Sequence, residues 1–137
     1  MDEILRKIGS IDEGVFAIFV NDNKEILKGF RNYPSGSVWT DPGGRCSGDE
    51  TLESTLRREV FEEIGIRDFE IRDYLGKFEG GFTDVWVYMF YCRTREEPRN
   101  MEPDKFSNWK WMGIQEFTKT SVGKEYMECV KKLIQDL

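Results

Sequence analysis

The chain has 137 residues, 39% apolar and 14% aromatic, so we expect a single domain over residues 1–137 and exclude a disordered chain. A net charge of −6 without a basic stripe argues against a protein that coats nucleic acid. The absence of histidine and of a CxxC pair argues against zinc and against histidine general bases. Without a long apolar run or a signal peptide, we expect a cytoplasmic protein with reduced thiols and no membrane partner.

The alternation of β-prone and helical stretches predicts an α/β (α+β) domain without internal repeats. The predicted strands, in chain order, are Gly14–Val20, Glu25–Tyr33, Val38–Thr40, Phe69–Gly80, Thr83–Thr94 and Asn108–Ile114. The predicted helices are Thr51–Ile64 and Val122–Leu137. The polar turn Asn21–Lys24 predicts that the second strand pairs with the first as a hairpin. The long strand Thr83–Thr94 is expected at the centre of the sheet.

The helix predicted at Thr51–Ile64 concentrates negative charge. Its apolar stripe consists of Leu52, Leu56, Val60 and Ile64. At about 100° per residue, Glu59 and Glu63 project at the edge of this stripe, and Glu62 lies a little further round. Carboxylates on the rim of a buried face repel each other unless a cation lies between them. Oxygen ligands without histidine favour Mg²⁺ or Mn²⁺; a solvated acidic face is the alternative.

The spacing around this helix is more specific than its charge. The segment Gly44–Ile66 satisfies the pattern G-x5-E-x7-R-E-U-x-E-E-x-G-U, in which U is aliphatic, and seven positions demand one residue type. At about one in twenty per position, chance gives such a match about once in a billion start sites. The segment resembles the signature of the Nudix hydrolases. The resemblance implies an α/β/α sandwich with a central mixed β-sheet, and a loop–helix–loop that binds divalent cations.

The resemblance also implies which residues carry the chemistry. Glu59 and Glu63 match the principal metal ligands of the family, and Glu62 matches a third carboxylate that binds directly or through water. These three glutamates are therefore the candidate catalytic residues. A backbone carbonyl of Gly43 or Gly44 would add a ligand, which gives a reason for a turn without side chains beside the helix.

Other motif positions match structural roles in the family. Arg58 and Glu50 correspond to an ion pair that orients the helix, and Gly65 corresponds to the glycine that ends it. In the nearest family analogy Glu59 takes the proton from the attacking water. Glu102, in the charged loop after the fifth predicted strand, is the alternative base and a further candidate metal ligand.

Residues outside the motif bear on the substrate. The segment Glu102–Met112, EPDKFSNWKWM, resembles a segment of Nudix members that hydrolyse nucleoside triphosphates. Trp109 and Trp111 share one strand face, and Trp111 is the candidate for stacking on a base, with core packing as the alternative. Asp41 stands where the family pattern W-x-x-P-G-G usually has an apolar residue, so it either accepts hydrogen bonds from a base edge or is a turn residue. Arg31 is a candidate phosphate contact.

The activity implied by the resemblance is metal-dependent hydrolysis of (deoxy)nucleoside triphosphates, or of oxidised or modified nucleotides, to the monophosphate and pyrophosphate. The alternatives are a hydrolase of ADP-ribose, a nucleotide sugar or a dinucleoside polyphosphate, a hydrolase of a non-nucleotide such as an isoprenoid or inositol pyrophosphate, and a catalytically silent domain that senses a nucleotide. The expected cofactor is Mg²⁺ or Mn²⁺. The expected partner is a small nucleotide and not a nucleic acid, and many family members are homodimers, which makes a dimer an expectation here.

Overall fold

The computed structural model describes residues 1–80 and 84–137. Its elements, in chain order, are α1 (Asp2–Leu5), β1 (Glu13–Phe19), β2 (Ile26–Tyr33), β3 (Gly36–Thr40), β4 (Gly43–Arg45), α2 (Leu52–Ile64), β5 (Glu70–Glu79), β6 (Trp86–Arg93), β7 (Phe106–Met112), α3 (Ile114–Thr120) and α4 (Lys124–Gln135). Thr83, where one predicted strand begins, lies outside the described residues. The remainder of that prediction corresponds to β6.

The described strands form two sheets. The first has the order β4-β1-β6-β5, with β1 and β6 parallel and the outer strands antiparallel to them. The second is antiparallel, with the order β3-β2-β7. The predicted mixed sheet and α/β class are confirmed, and β6 occupies the predicted central position.

The first sheet is covered on both faces, which makes it the middle layer of a sandwich. On one face, alternate residues of β1 and β6, such as Val15 and Phe90, join the core cluster that includes the apolar stripe of α2. On the other face, the intervening residues, such as Ile18 and Met89, pack with Val130 of α4. Burial of both faces explains why β1 reads as a continuous apolar run instead of an alternating one.

Helix α2 begins and ends as its sequence indicates. Thr51 caps it, since its Oγ1 accepts a hydrogen bond of 3.1 Å from the Ser54 N–H. Gly65 ends it in the left-handed region at φ 72°, where its N–H donates to the carbonyl of Phe61 at 2.9 Å. The four stripe residues are fully buried, as predicted. The caps and the stripe together fix which side of α2 faces the core, and hence where its glutamates lie.

The predicted hairpin between the first two strands is wrong. Only an isolated bridge, Val20 to Ile26, joins them. Both edges of β1 are already paired, with β4 on one side and β6 on the other, so β2 leaves that sheet and pairs with β3 and β7. Strand β4 was not predicted, because its three residues include two glycines; α1 and α3 are short and were missed as well.

Within the described part of the chain, none of the helices combines the length and apolar character that crossing a membrane requires.

Candidate active site

The side of α2 that carries Glu59 and Glu63 borders a cavity of about 450 Å³. Elements from both sheets and from α2 and α4 contribute to its walls. Four glutamates of the described residues line it: Glu59 and Glu63 of α2, Glu79 of β5, and Glu102 of the loop that follows β6. The structure thus places two carboxylates of the motif and the predicted distal-loop glutamate around one space. The volume falls in the range typical of small-molecule sites.

Glu63 is the most deeply buried of these carboxylates, with 6% of its surface exposed. Its Oε1 accepts a hydrogen bond of 2.9 Å from the Gly43 N–H. Burial raises the pKa of Glu63 to about 8, and the charges of Glu59 and Glu102 add to this rise against the opposing hydrogen bond from Gly43. No ion pair to Glu63 forms among the described residues. The charge of Arg31 opposes the rise in pKa without reversing it, so the ionised form of Glu63 is only weakly compensated by these residues.

The loop that carries Glu102 docks on the end of α2. The Arg99 N–H donates to the carbonyl of Ile64 at 2.8 Å, and the Met101 N–H donates to the carbonyl of Glu63 at 3.1 Å. These bonds use carbonyl groups that a helix end leaves without partners. They also bring Glu102, which follows directly, to the cavity beside Glu63.

The glycine pair is packed against backbone on one side and a carboxylate on the other. A Cβ on Gly43, at φ 148°, would lie 2.2 Å from the carbonyl oxygen of Val15. A Cβ on Gly44 would lie 2.5 Å from the carboxylate carbon of Glu59. Only glycine allows β4 to pair with β1 while its backbone approaches Glu59 this closely.

Arg58 organises the outer edge of the motif. Its guanidinium pairs with Glu50 at 2.8 Å, with Glu59 at 3.1 Å and with Glu62 at 3.2 Å. The hydrogen bonds from Arg58 lower the pKa of Glu50. Burial raises the pKa of Glu59, against the charge of Arg58. Glu62 is exposed and does not line the described cavity wall, so its position beside Arg58 fits helix orientation better than direct metal ligation.

A divalent cation such as Mg²⁺ requires several oxygen ligands around one point. Within residues 1–80 and 84–137, no three side chains of His, Cys, Asp or Glu are close enough together, as they stand, to hold a metal ion. Their chemistry nevertheless suits a hard cation, since Glu59, Glu63 and Glu102 supply only oxygen, and the charges of Glu59 and Glu102 raise the pKa of Glu63. Because Gly44 has no side chain, the carboxylate of Glu59 lies directly against its backbone, which brings a backbone carbonyl close to that carboxylate. The residues present therefore fit Mg²⁺ or Mn²⁺.

Comparison with known proteins identifies the family of this site. The family model described as the NUDIX domain matches residues 11–133. The chain belongs to the Nudix hydrolase family. It is 27% identical over 139 residues to the RNA pyrophosphohydrolase of Gluconobacter oxydans (strain 621H), a match that covers 85% of this chain and 81% of the relative.

Solved structures share the fold of this Nudix hydrolase. The MutT protein from Methanosarcina mazei Go1 matches with a TM-score of 0.72 at 18% identity, over 93% of this chain and 96% of that one. A C. elegans Ap4A hydrolase matches with a TM-score of 0.74 at 18% identity, over 88% and 94% of the two chains. At such identities the likeness concerns the fold alone. The protein is a pyrophosphohydrolase of the Nudix type, in which α2 and its flanking loops are the Nudix motif.

Basic residues also border the cavity of this Nudix hydrolase. Arg31 lies between the rings of Tyr33 and Phe106, at 5.0 and 5.3 Å from their centroids, and makes no ion pair with a described residue. Arg45, on β4, lines the cavity too, as does Lys105, which pairs with Glu102 at 3.2 Å. Neither Arg45 nor Lys105 was predicted from the sequence. Arg45 directly follows the glycine pair, and Lys105 lies three residues after Glu102. These positions in the sequence could have indicated both residues.

Asp41 lines the cavity but is not an isolated acceptor. Its Oδ1 pairs with Lys28 Nζ at 3.1 Å, and its Oδ2 accepts a hydrogen bond of 2.6 Å from the Tyr126 hydroxyl. Only 4% of the residue is exposed. Neither interpretation of Asp41, as a base contact or as a turn residue, predicted these two partners, because both come from segments distant in sequence.

The structure does not support Trp111 as a base-stacking residue. Trp111 and Trp109 do share a face, but that face packs against the main core, and neither ring is part of the described cavity lining. Trp39 and Phe16 line the cavity instead. Strand alternation correctly pairs the two tryptophans but does not reveal whether their common face meets the core or the cavity.

Proposed function

We propose that this Nudix hydrolase cleaves nucleoside triphosphates to the monophosphate and pyrophosphate with Mg²⁺ or Mn²⁺. The observation that carries the proposal is the composition of one cavity. Among the described residues, Glu63 faces it beside Glu59 and Glu102 without an ion-pair partner of its own, while Arg31 faces it without a carboxylate partner. A polyphosphate bound with divalent cations supplies both missing charges.

Glu59, Glu63 and Glu102, with the backbone at Gly44, are the groups that would hold the metal. When bound, a divalent cation neutralises phosphate oxygens and lowers the pKa of water, so that a nucleophile is available near neutral pH. Glu62 holds Arg58, and Arg58 in turn holds Glu59 and Glu50. The pair of Arg58 and Glu50 thereby keeps Glu59 at the cavity wall.

The other side chains act on the substrate directly. Arg31, held between two aromatic rings, binds phosphate oxygens, and Arg45 at the mouth adds a second positive charge. Glu59 accepts the proton of the attacking water, with Glu102 as the alternative base. Both carboxylates line the cavity, so geometry allows either.

The rest of the cavity suits a nucleobase. One wall, which we call the apolar wall, consists of Phe16, Phe78, Val85, Val87, Met89 and Tyr126, all from the second core cluster. Flat aromatic rings pack well on such a surface, and polar groups in it fix their orientation. A purine deoxynucleoside triphosphate, or its oxidised form, is the substrate we favour.

A second candidate substrate comes from the relatives. The protein of Gluconobacter oxydans and a relative of 26% identity from Orientia tsutsugamushi (strain Boryong) are both named RNA pyrophosphohydrolase. An RNA oligonucleotide with a 5′ triphosphate presents the same anhydride bonds as a nucleotide. The net charge of −6 favours the free nucleotide, since a long polyanion would be repelled.

A substrate panel tests the proposal. The purified protein is incubated with Mg²⁺ and each of the four deoxynucleoside triphosphates, 8-oxo-dGTP, ADP-ribose, a nucleotide sugar, a dinucleoside tetraphosphate and 5′-triphosphorylated RNA. We expect the highest kcat/KM for a triphosphate, with pyrophosphate and not phosphate released. A preference for ADP-ribose, the sugar, the tetraphosphate or the RNA over every free triphosphate would overturn the substrate assignment.

Removal of metal is the second arm of this test. We expect activity to disappear in excess EDTA and to return when Mg²⁺ or Mn²⁺ is added in excess of the chelator, because without a cation the carboxylates that line the cavity repel a polyphosphate. Full activity in EDTA with metal-free reagents would contradict the proposed cofactor.

A further inference from the structure

A buried polar triad lies in the wall of the cavity. It consists of Lys28 on β2, Asp41 between β3 and β4, and Tyr126 on α4. Lys28 Nζ donates to Asp41 Oδ1 at 3.1 Å and to the Tyr126 hydroxyl at 2.8 Å, and that hydroxyl donates to Asp41 Oδ2 at 2.6 Å. The side chains of Lys28 and Asp41 are only 2% and 5% exposed. The three groups satisfy one another in a closed ring of hydrogen bonds.

The triad connects three separate parts of the cavity wall. All three residues line the cavity, and Tyr126 also belongs to the apolar wall. The Tyr126 ring packs against Phe117, with 5.6 Å between centroids, while its hydroxyl is held by Lys28 and Asp41. A ring held at both ends has a fixed position. The triad therefore determines the shape of the apolar wall and places donors and acceptors within it.

The backbone beside the cavity glutamates is held in place by contacts that do not involve the triad. Asp41 is close in sequence to Gly43, which contacts Glu63, but β4 is paired with β1 along Gly43, Gly44 and Arg45. The carbonyl of Pro42 also accepts a hydrogen bond of 2.8 Å from the Ala17 N–H. A change in the triad should therefore alter the apolar wall without moving the glutamates.

We infer that the triad of Lys28, Asp41 and Tyr126 determines which nucleobase this enzyme accepts, with Tyr126 as the wall that the base contacts and with Lys28 and Asp41 as the residues that position it. This inference rests on the proposed function of the cavity. The edge of a base presents donors and acceptors side by side, and the triad is the place where the apolar wall offers both. Selectivity and bond cleavage are thus assigned to different sides of one cavity.

A second triad provides a matched control. Tyr88 donates to Glu13 Oε2 at 2.6 Å and accepts from Lys7 Nζ at 2.6 Å, so its hydroxyl has the same chemistry as that of Tyr126. None of Tyr88, Glu13 and Lys7 belongs to the cavity lining that the structure describes. Tyr88→Phe removes an equivalent hydroxyl away from the cavity.

The experiment compares Tyr126→Phe, Tyr88→Phe and the wild-type protein. For each, kcat and KM are measured with the four deoxynucleoside triphosphates and Mg²⁺, and dissociation constants are measured calorimetrically with the four nucleoside monophosphates. In Tyr126→Phe we expect the ratio of kcat/KM between the best and the worst base to fall about fivefold to tenfold, through KM, while kcat changes less than about threefold. In Tyr88→Phe the ratio should be unchanged.

Each outcome bears on one claim. A folded Tyr126→Phe protein with the wild-type selectivity ratio, in both turnover and binding, overturns the inference, as does an equal change in Tyr88→Phe. If Tyr126→Phe does not fold, Asp41→Asn, which keeps the shape of the triad and removes its negative charge, gives the same comparison. Failure of the wild-type protein to hydrolyse any anhydride overturns the proposed function instead, and the monophosphate binding series still decides whether the triad selects the base.

Discussion

Two glutamates of this protein are equally buried and have opposite electrostatic environments. Glu13 and Glu63 are 7% and 6% exposed. Glu13 accepts hydrogen bonds from Lys77 at 2.9 Å, from Lys7 at 3.3 Å and from the Tyr88 hydroxyl at 2.6 Å. Together with the Ser10 N–H, these donors lower the pKa of Glu13 well below its usual range, although burial alone would raise it. Glu63 has one backbone donor, and burial raises its pKa.

The difference separates a structural carboxylate from a functional one. Glu13 receives its counter-charges from the protein, so it fastens the segment before β1 to β6 and to β5. Glu63 forms no ion pair with a described residue, and the charge of Arg31 does not outweigh burial and two neighbouring carboxylates, so we expect its close counter-charge to come from a ligand. Burial by itself does not distinguish them; the presence or absence of compensating partners does.

Among the substitutions that test this difference, we expect Glu63→Gln to have the largest effect. The substitution keeps the shape and the hydrogen bond from Gly43 but removes the charge that a divalent cation requires. We expect kcat/KM to fall by about a hundredfold or more. The fold should survive, because loss of repulsion with Glu59 and Glu102 favours the metal-free protein. The measurement is kcat/KM with Mg²⁺, together with thermal unfolding.

Glu53→Gln is the matched control for that variant. Glu53 lies on the same helix, pairs with Arg57 at 2.9 Å and is 42% exposed. Its substitution should leave activity within about twofold of the wild type, since an exposed pair contributes little. An active Glu63→Gln protein, or one that does not fold, would contradict the role proposed for Glu63.

Glu13→Gln should have the opposite phenotype. It leaves Lys7 and Lys77 without their carboxylate and Tyr88 without its charged acceptor. Because both lysines can reach solvent, we expect the free energy of unfolding to fall by about 1–3 kcal/mol, less than the loss of a fully buried pair. Activity per folded molecule should not change. Urea unfolding and a kcat/KM measurement check both parts, and lost activity with intact stability would show that Glu13 is not purely structural.

The sequence was sufficient to predict α2 and its carboxylates because their information is local. A cap at Thr51, a glycine at position 65 and an apolar residue at every fourth position fix the limits of the helix and its buried face. Once that face is known, Glu63 must lie at its rim. The Nudix motif adds the glycine pair, whose contact with Glu59 is also close to the helix in sequence.

The features that could not be predicted depend on distant residues. The polar turn after β1 is a correct local signal, yet the hairpin is absent because β6, about seventy residues later, occupies one edge of β1. The partners of Asp41 lie 13 and 85 residues away. Two partners of Glu13, Lys77 and Tyr88, likewise lie 64 and 75 residues away, and without them nothing in the sequence distinguished Glu13 from an ordinary surface glutamate.

The change of stability with each unit of pH, measured without metal, compares both glutamates in one experiment. The pKa of Glu63 is raised to about 8 in the folded state, so between its ordinary value of 4.5 and 8 the folded protein binds a proton that the unfolded chain has lost. The contribution of Glu63 to stability should therefore fall as pH rises through this window, by on the order of 1 kcal/mol per pH unit. The pKa of Glu13 is lowered, so its contribution is present above 4.5 and is lost as pH falls below that value. Urea unfolding from pH 3 to pH 9 in EDTA should show Glu63→Gln removing the loss of stability on the alkaline side and Glu13→Gln removing the loss on the acid side. If both variants parallel the wild-type curve, the two carboxylates do not differ in the way their surroundings require.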